Sequence, residues 1–253
     1  MPLRTPQCIE RKMNLSSTLA IVTLSPVLAA AIGSLIASVR APGPQAASVI
    51  QHFTAGIVFA AAALELLPQD RLHATLPVVV GFALGLALML AIRKFSHWLE
   101  GRFESAGFPT GLILVTAVDL LIDGLVLGIA FTAGEQTGLI LTVALTLEVL
   151  FLALSVSAAL GAARVRRSWS FLIPVGLAAL MSAAAIGGHA VLAGLPATPY
   201  AALLGFGTVA LLYLVTEELL VEAHEVSETS FATAAFFAGF VVFFVIEASV
   251  KTG

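Results

Sequence analysis

Long apolar runs, separated by short clusters of proline, glycine and charged residues, make up almost the whole chain. A hydrocarbon core about 30 Å thick needs about 20 apolar residues of helix, and each run is close to that length. The pattern predicts an all-α integral membrane protein with eight transmembrane helices, in one domain over residues 1–253 that includes an N-terminal tail at 1–14. The predicted helices lie near residues 15–39, 49–67, 76–97, 111–133, 137–160, 170–194, 199–223 and 231–250.

The composition agrees with a lipid solvent and excludes several function classes. Hydrophobic residues make up 59% of the chain and charged residues only 11%, against roughly 25% charged residues in soluble domains. The net charge of −3 and the scattered basic residues argue against a nucleic-acid partner. Cys8 is the single cysteine, so an internal disulfide and a cysteine metal cage are both excluded.

The distribution of lysine and arginine predicts the orientation. Five of them lie on the side of the N-terminus, the even-numbered connections and the C-terminus: Arg4, Arg11, Lys12, Arg71 and Lys251. Seven lie on the other side: Arg40, Arg93, Lys94, Arg102, Arg164, Arg166 and Arg167. The positive-inside rule therefore predicts that both termini lie outside. Short loops and low charge favour a multi-pass protein of a bacterial inner membrane.

Three carboxylates stand far from any predicted helix end. Each ionisable residue at mid-membrane costs roughly 2.5–3.5 kcal/mol on insertion scales, so such residues usually serve a function. Asp119 and Asp123 are four residues apart and share one face of the fourth helix, and Glu148 lies near the middle of the fifth. A short connection around residues 134–138 makes these two helices antiparallel neighbours. The three carboxyl groups are therefore expected to converge at one depth.

Like charges this close need a cation or protons to compensate them, which makes a divalent cation site the simplest interpretation. The alternative is that the groups are protonated and hydrogen-bond to neighbouring helices. His52, Glu65, Glu217 and Glu218 lie nearer the ends of the second and seventh helices. They are candidate pathway residues for the ion, with solvated helix ends as the alternative.

Two sequences carry a resemblance to a known family. The second helix reads His52-Phe-Thr-Ala-Gly-Ile-Val-Phe-Ala-Ala-Ala-Ala-Leu-Glu65-Leu-Leu-Pro68, and the seventh contains Glu217-Glu218-Leu-Leu-Val-Glu222-Ala-His224. Both resemble the corresponding helices of the ZIP divalent metal transporters. The resemblance implies inverted repeats of the first three and last three helices around the fourth and fifth. Glu65-Leu-Leu and Glu218-Leu-Leu are a short internal echo of that arrangement.

The metal-site motifs depart from the family pattern. Where typical members have His-Asn-x-Pro-Glu-Gly in the fourth helix, this chain has Asp119-Leu120-Leu-Ile-Asp123-Gly124. Glu148 takes the first ligand place in the fifth helix, while Val149 and Leu152 replace the next ones. Ser182 stands where the sixth helix usually offers a glutamate. The resemblance therefore implies one metal subsite in altered form and the loss of the other.

The functional prediction is a ZIP-like transporter that moves a divalent cation (Mn²⁺, Fe²⁺, Zn²⁺ or Mg²⁺) inward by alternating access. All-oxygen ligation favours hard cations over Zn²⁺, although carboxylates also bind zinc. The ion is cargo, and no prosthetic group is expected; the choice between monomer and homodimer stays open. A pseudo-transporter with a regulatory or structural role and a proton-coupled transporter of another substrate are the alternatives. The sequence offers no convincing nucleophile and base pair, which argues against an enzyme.

Overall fold

The computed structural model describes residues 18–103, 109–192, 194–224 and 229–252. Within these residues, eight helices are long and apolar enough to cross a bilayer, which confirms the predicted all-α fold. The chain is a multi-pass membrane protein. The tail at 1–14, with Cys8, lies outside the described residues. The helices are α1 (Thr18–Val39), α2 (Pro44–Asp70), α3 (Thr75–Phe103), α4 (Thr110–Ala133), α5 (Glu135–Ala162), α6 (Arg167–Leu192), α7 (Ala197–Leu219, continued by Leu220–Ala223) and α8 (Ser230–Thr252).

Proline and glycine set several of the helix boundaries. Pro44 is the first residue of α2, where its missing N–H and fixed φ are tolerated. Gly134 alone separates α4 from α5, so the two helices are antiparallel neighbours as predicted. Two helices extend past the predicted ends: α2 begins at Pro44 rather than near 49, and α3 continues to Phe103 rather than ending near 97. The predictions followed the apolar runs, which indicate only the part of each helix that lies in the hydrocarbon core. Helical hydrogen bonding continues beyond them into more polar sequence.

Successive membrane-spanning helices run in opposite directions, so alternate connections collect at each membrane face. We call the face with the connections after α1, α3, α5 and α7 the odd-loop face. The other is the even-loop face, where α8 ends at Thr252.

The helices pack in two groups that are related by an internal symmetry. In the first group α4 packs on α6, α1 packs on α5, and α1 and α4 also contact α6 and α5 respectively. In the second group α2 packs on α8 and α3 packs on α7. Exchanging α1–α3 for α6–α8, and α4 for α5, interconverts α4–α6 with α1–α5 and α2–α8 with α3–α7, and leaves α1–α6 and α4–α5 unchanged. Helices five apart in the chain run in opposite directions, so the two repeats have inverted topology.

Glycines allow close approach of the backbones at the helix crossings. Gly124 of α4 lies against the backbone of Met181 in α6, and Gly81 of α3 lies against the backbone of Ala202 in α7. Any side chain at Gly124 or Gly81 would collide with that backbone. Small residues at crossings are typical of membrane bundles, in which packing replaces the hydrophobic effect as the force between helices.

A single π-helical turn interrupts each of α2 and α7. The turns cover Ala62–Leu66 and Leu214–Leu219. A π turn inserts an extra residue and shifts the face on which the following side chains lie, and such turns are frequent at functional sites. Glu65 is the fourth residue of the first turn and Glu217 the fourth of the second.

Candidate metal centre

The three predicted carboxylates meet in the interior of the bundle. One carboxylate oxygen from each of Asp119, Asp123 and Glu148 lies within 4.8 Å of the other two. The fourth helix supplies the two aspartates from one face, and the antiparallel α5 supplies the glutamate. All three residues are buried, with exposed fractions of 9%, 2% and 1% respectively. The expected convergence at one depth is therefore what the structure has.

Half of the oxygens in this triad lack protein partners. Asp123 Oδ2 and both carboxylate oxygens of Glu148 have no hydrogen-bond partner among the described residues. A buried polar atom without a partner is costly, and more so in a medium of low dielectric. Carboxyl groups that serve only to join helices would place these oxygens against donors on neighbouring helices. The triad is therefore better suited to an external cation than to a role as polar glue.

The spacing of the ligand oxygens suits one metal ion. Divalent ions bind carboxylate oxygens at about 2.0–2.4 Å, so two ligands on opposite sides of an ion are roughly 4–5 Å apart. The observed limit of 4.8 Å falls in that range. Small rotations of the side chains would complete a coordination shell with the help of water.

A cavity of about 430 Å³ reaches the triad from one side. Asp119 and Glu148 line it, together with Thr116 of α4, Ser155 of α5 and Thr54 of α2. Thr116 precedes Asp119 in α4 and Ser155 follows Glu148 in α5, so the cavity lies toward the odd-loop face. A cation with six waters needs roughly 200 Å³, since each water occupies about 30 Å³. The cavity has room for a hydrated ion.

Two of the predicted pathway residues line this cavity. Glu217 and Glu218 of α7 both line it, and Glu217 forms an ion pair with Arg93 of α3. Glu218 is close enough to interact electrostatically with Asp123 and Glu148. Four carboxyl groups and one guanidinium thus surround the cavity, which favours cations over anions.

Glu65 lies on the opposite side of the triad, and it does not line the cavity. Its side chain is 1% exposed, and Lys251 Nζ of α8 lies 2.9 Å from its Oε1. Lys251 also lies 2.5 Å from Oε1 of Glu247, one turn earlier in α8. The interpretation of Glu65 as a solvated helix end is wrong, because α8 covers the end of α2.

His52 is buried as well, so the same interpretation is wrong for this residue. Its Nδ1 lies 2.8 Å from the carbonyl oxygen of Ser48, and its ring packs against that of His224 with 5.1 Å between the ring centroids. Ser48 in turn donates a hydrogen bond to the carbonyl oxygen of Ala223. These contacts join the start of α2 to the end of α7, and His52 does not line the cavity.

The positions expected to have lost metal ligands carry no substitute donors. Leu120 and Val149 are each 1% exposed and belong to the apolar core, and Leu152 lines the cavity with an apolar side chain. Ser182 Oγ donates to the carbonyl oxygens of Thr23 and Ala178, at 2.7 and 3.0 Å. The second subsite of the family pattern therefore has no counterpart in these side chains.

Sequence reasoning did not assign a role to Arg93 or Lys251, which it used only for orientation. Each is a basic residue close to the end of an apolar helix, where a long side chain can extend toward water. The signal that was available for Lys251 is its spacing of four residues from Glu247. The partner carboxylates on α7 and α2 depend on which helices pack together, and no local pattern indicates that.

Comparison with known proteins does not place this chain in a family. A scan against models of protein families found no match, and a search of curated proteins found no similar sequence.

Proposed function

We propose that this protein is a ZIP-like transporter that moves a divalent cation toward the cytoplasm through one mid-membrane site. The observation that carries the proposal is the buried triad of Asp119, Asp123 and Glu148, with three oxygens that lack protein partners. Three carboxylates within 4.8 Å of one another repel strongly in a low dielectric unless a cation or protons compensate them. A single divalent ion would compensate the negative charge and would also coordinate the oxygens that lack protein partners.

The donor set favours hard cations. Oxygen ligands without imidazole or thiolate suit Mn²⁺, Mg²⁺ and Fe²⁺ better than Zn²⁺, although zinc also accepts carboxylates. Glu218 adds a fourth carboxylate in electrostatic range of the site. We expect selectivity to follow this oxygen-rich surrounding.

Under this proposal, the cavity is one half of the transport path. With the positive-inside orientation, the odd-loop face is cytoplasmic and both termini lie outside the inner membrane. The cavity then connects the triad to the cytoplasm, and the conformation is inward-facing. Alternating access would proceed with the carboxylates of α4 and α5 fixed while the outer helices rock around them.

Protons provide a means of releasing the ion. A carboxylate that takes up a proton loses its attraction for the cation, so protonation of Asp123 or Glu148 would lower metal affinity at the inner side. Under this hypothesis the uptake rate depends on pH. Uptake that does not change with pH would contradict it.

Uptake by purified protein in liposomes tests the proposal. Mn²⁺, Zn²⁺, Fe²⁺ and Mg²⁺ are compared for the native chain, for Asp123→Ala and for Glu135→Gln, which removes an exposed carboxylate from the start of α5. We expect saturable uptake of one ion that is lost in Asp123→Ala and kept in Glu135→Gln. Failure to bind any divalent ion would favour the pseudo-transporter. Transport of another solute, insensitive to divalent metals, would favour the proton-coupled alternative.

A further inference from the structure

Two ion pairs join corresponding helices of the two inverted repeats. Lys251 of α8 pairs with Glu65 of α2, and Arg93 of α3 pairs with Glu217 of α7. Under the exchange of repeats that relates the helix packing, α8 corresponds to α3 and α2 corresponds to α7. Each pair therefore joins one repeat to the other.

The correspondence is also close along the helices. Glu65 and Glu217 are both the fourth residue of a π turn. Gly239 of α8 lies against the backbone of α2, and Gly81 of α3 lies against the backbone of α7. The basic residue follows this glycine by the same distance in both helices, from 239 to 251 and from 81 to 93. On the partner helices, Glu65 lies 12 residues after Phe53 and Glu217 lies 15 residues after Ala202, which are the residues that Gly239 and Gly81 contact. The two ion pairs therefore correspond to within about one helical turn.

The pairs differ in the burial of their carboxylates. The side chain of Glu65 is 1% exposed, whereas that of Glu217 is 39% exposed. The basic partners are alike, at 42% for Lys251 and 43% for Arg93. The buried carboxylate lies on the even-loop side of the triad, and the exposed one lines the cavity on the odd-loop side. The carboxylate is thus buried on the even-loop side, where the protein is closed, and exposed on the odd-loop side, where the cavity is open.

We propose that Lys251–Glu65 and Arg93–Glu217 are the two gates of the pathway, and that they exchange burial when the protein changes the face to which its central site is open. This inference rests on the proposed function, because it requires alternating access. In transporters with inverted repeats, access alternates as one repeat rocks against the other around the fixed site, so the side that is closed in one state opens in the other. The opposite state would then bury Glu217 and expose Glu65.

Opposite effects of the two basic residues follow from this exchange. Removal of a cation from a buried carboxylate is strongly unfavourable, whereas removal from an exposed one costs little. Loss of Lys251 therefore disfavours the observed state, in which Glu65 is buried. Loss of Arg93 disfavours the reverse state, in which Glu217 would be buried.

Two cysteine positions on α5 can report which side is open. Ala144 and Ser155 lie four residues before and seven residues after Glu148, and so share its helical face. Ala144 is 0% exposed and lies between the triad and the even-loop face, whereas Ser155 lines the cavity. Ala144→Cys and Ser155→Cys are introduced separately into the full chain with Cys8→Ser. Labelling by a hydrophilic maleimide is measured in detergent, where the reagent reaches both faces.

We expect Ser155→Cys to react rapidly and Ala144→Cys slowly. Lys251→Met should raise the labelling rate of Ala144→Cys about tenfold, the equivalent of about 1.4 kcal/mol in the equilibrium between the states, and lower that of Ser155→Cys. Arg93→Met should leave the rate of Ala144→Cys at or below the native value. Lys94→Met removes an exposed neighbouring charge as a control and should change neither rate.

The inference is overturned if Lys251→Met does not raise labelling of Ala144→Cys, or if Arg93→Met raises it by a similar factor. Gel filtration checks that each variant is folded. Glu65→Gln removes the carboxylate and leaves no uncompensated charge to bury, so combining it with Lys251→Met must return the labelling rate of Ala144→Cys toward the native value. Opposite shifts in a protein that takes up no metal would refute the proposed function and retain the gates. Metal uptake without these shifts would refute the gates and retain the proposed function.

Discussion

Replacing Asp123 by asparagine should stabilise the metal-free protein and abolish its stabilisation by metal. The substitution conserves volume and removes one charge from three carboxylates that lie within 4.8 Å of one another. Two unit charges at this distance repel by about 3 kcal/mol at an effective dielectric constant of 20. Protons already lessen this repulsion in the metal-free state, so we expect a gain of about 1 to 3 kcal/mol in the free energy of unfolding.

Bound metal has the opposite effect on the comparison, because it stabilises the native protein and not Asp123→Asn. A ligand at one hundred times its dissociation constant stabilises the folded state by about 2.7 kcal/mol. For a chain of this length, that free energy raises the melting temperature by roughly 5 to 10 °C. The native protein should show this rise with its preferred ion, and Asp123→Asn should show none.

Thermal unfolding followed by intrinsic tryptophan fluorescence, with and without each metal, measures both effects. Asp70→Asn is the matched control, because Asp70 is also a buried aspartate with one unpartnered oxygen, but it lies at the end of α2, where Thr208 donates a hydrogen bond to its Oδ2 at 2.8 Å. This variant should lose stability and keep the full metal-dependent rise. The reasoning is refuted if metal raises the melting temperature of Asp123→Asn as much as that of the native protein.

Three further predictions concern packing, selectivity and the path. Gly124→Ala should cost about 1 to 3 kcal/mol of stability, measured by thermal unfolding, because its Cβ would meet the backbone of Met181; Gly176→Ala, which meets no atom within 4 Å, should cost none. Asp119→His should raise Zn²⁺ uptake relative to Mn²⁺ in competition assays, since imidazole favours zinc, and an unchanged ratio would contradict the assigned ligand. His52→Ala should leave the cation concentration for half-maximal uptake unchanged, because His52 does not line the cavity; a large increase would place it on the path.

The membrane helices and the triad could be predicted from the sequence because both depend on local patterns. Apolar runs of bilayer length indicate the spans directly. Asp119 and Asp123 stand out because ionisable residues are rare at mid-membrane, and their spacing places them on one face. The short connection at Gly134 then brings Glu148 beside them, since it forces α4 and α5 to be antiparallel neighbours.

The surroundings of the triad depended on contacts between distant segments. Glu65 has the sequence context of a solvated helix end, yet α8 buries it and supplies Lys251. Glu217 was a candidate pathway residue, but its pairing with Arg93 depends on the packing of α3 on α7, which no local pattern indicates. The π turns in α2 and α7 also have no sequence signal that we recognised, although they set the positions of Glu65 and Glu217.

The most direct test of the central claim is to locate the metal. Crystals of the native protein soaked in Mn²⁺ and measured at the manganese absorption edge should show one anomalous peak per chain, between Asp119, Asp123 and Glu148. The same experiment on Glu148→Gln should show no peak at this position. Native crystals with no peak between these carboxylates, or with two adjacent peaks, would contradict a single cation held by the triad.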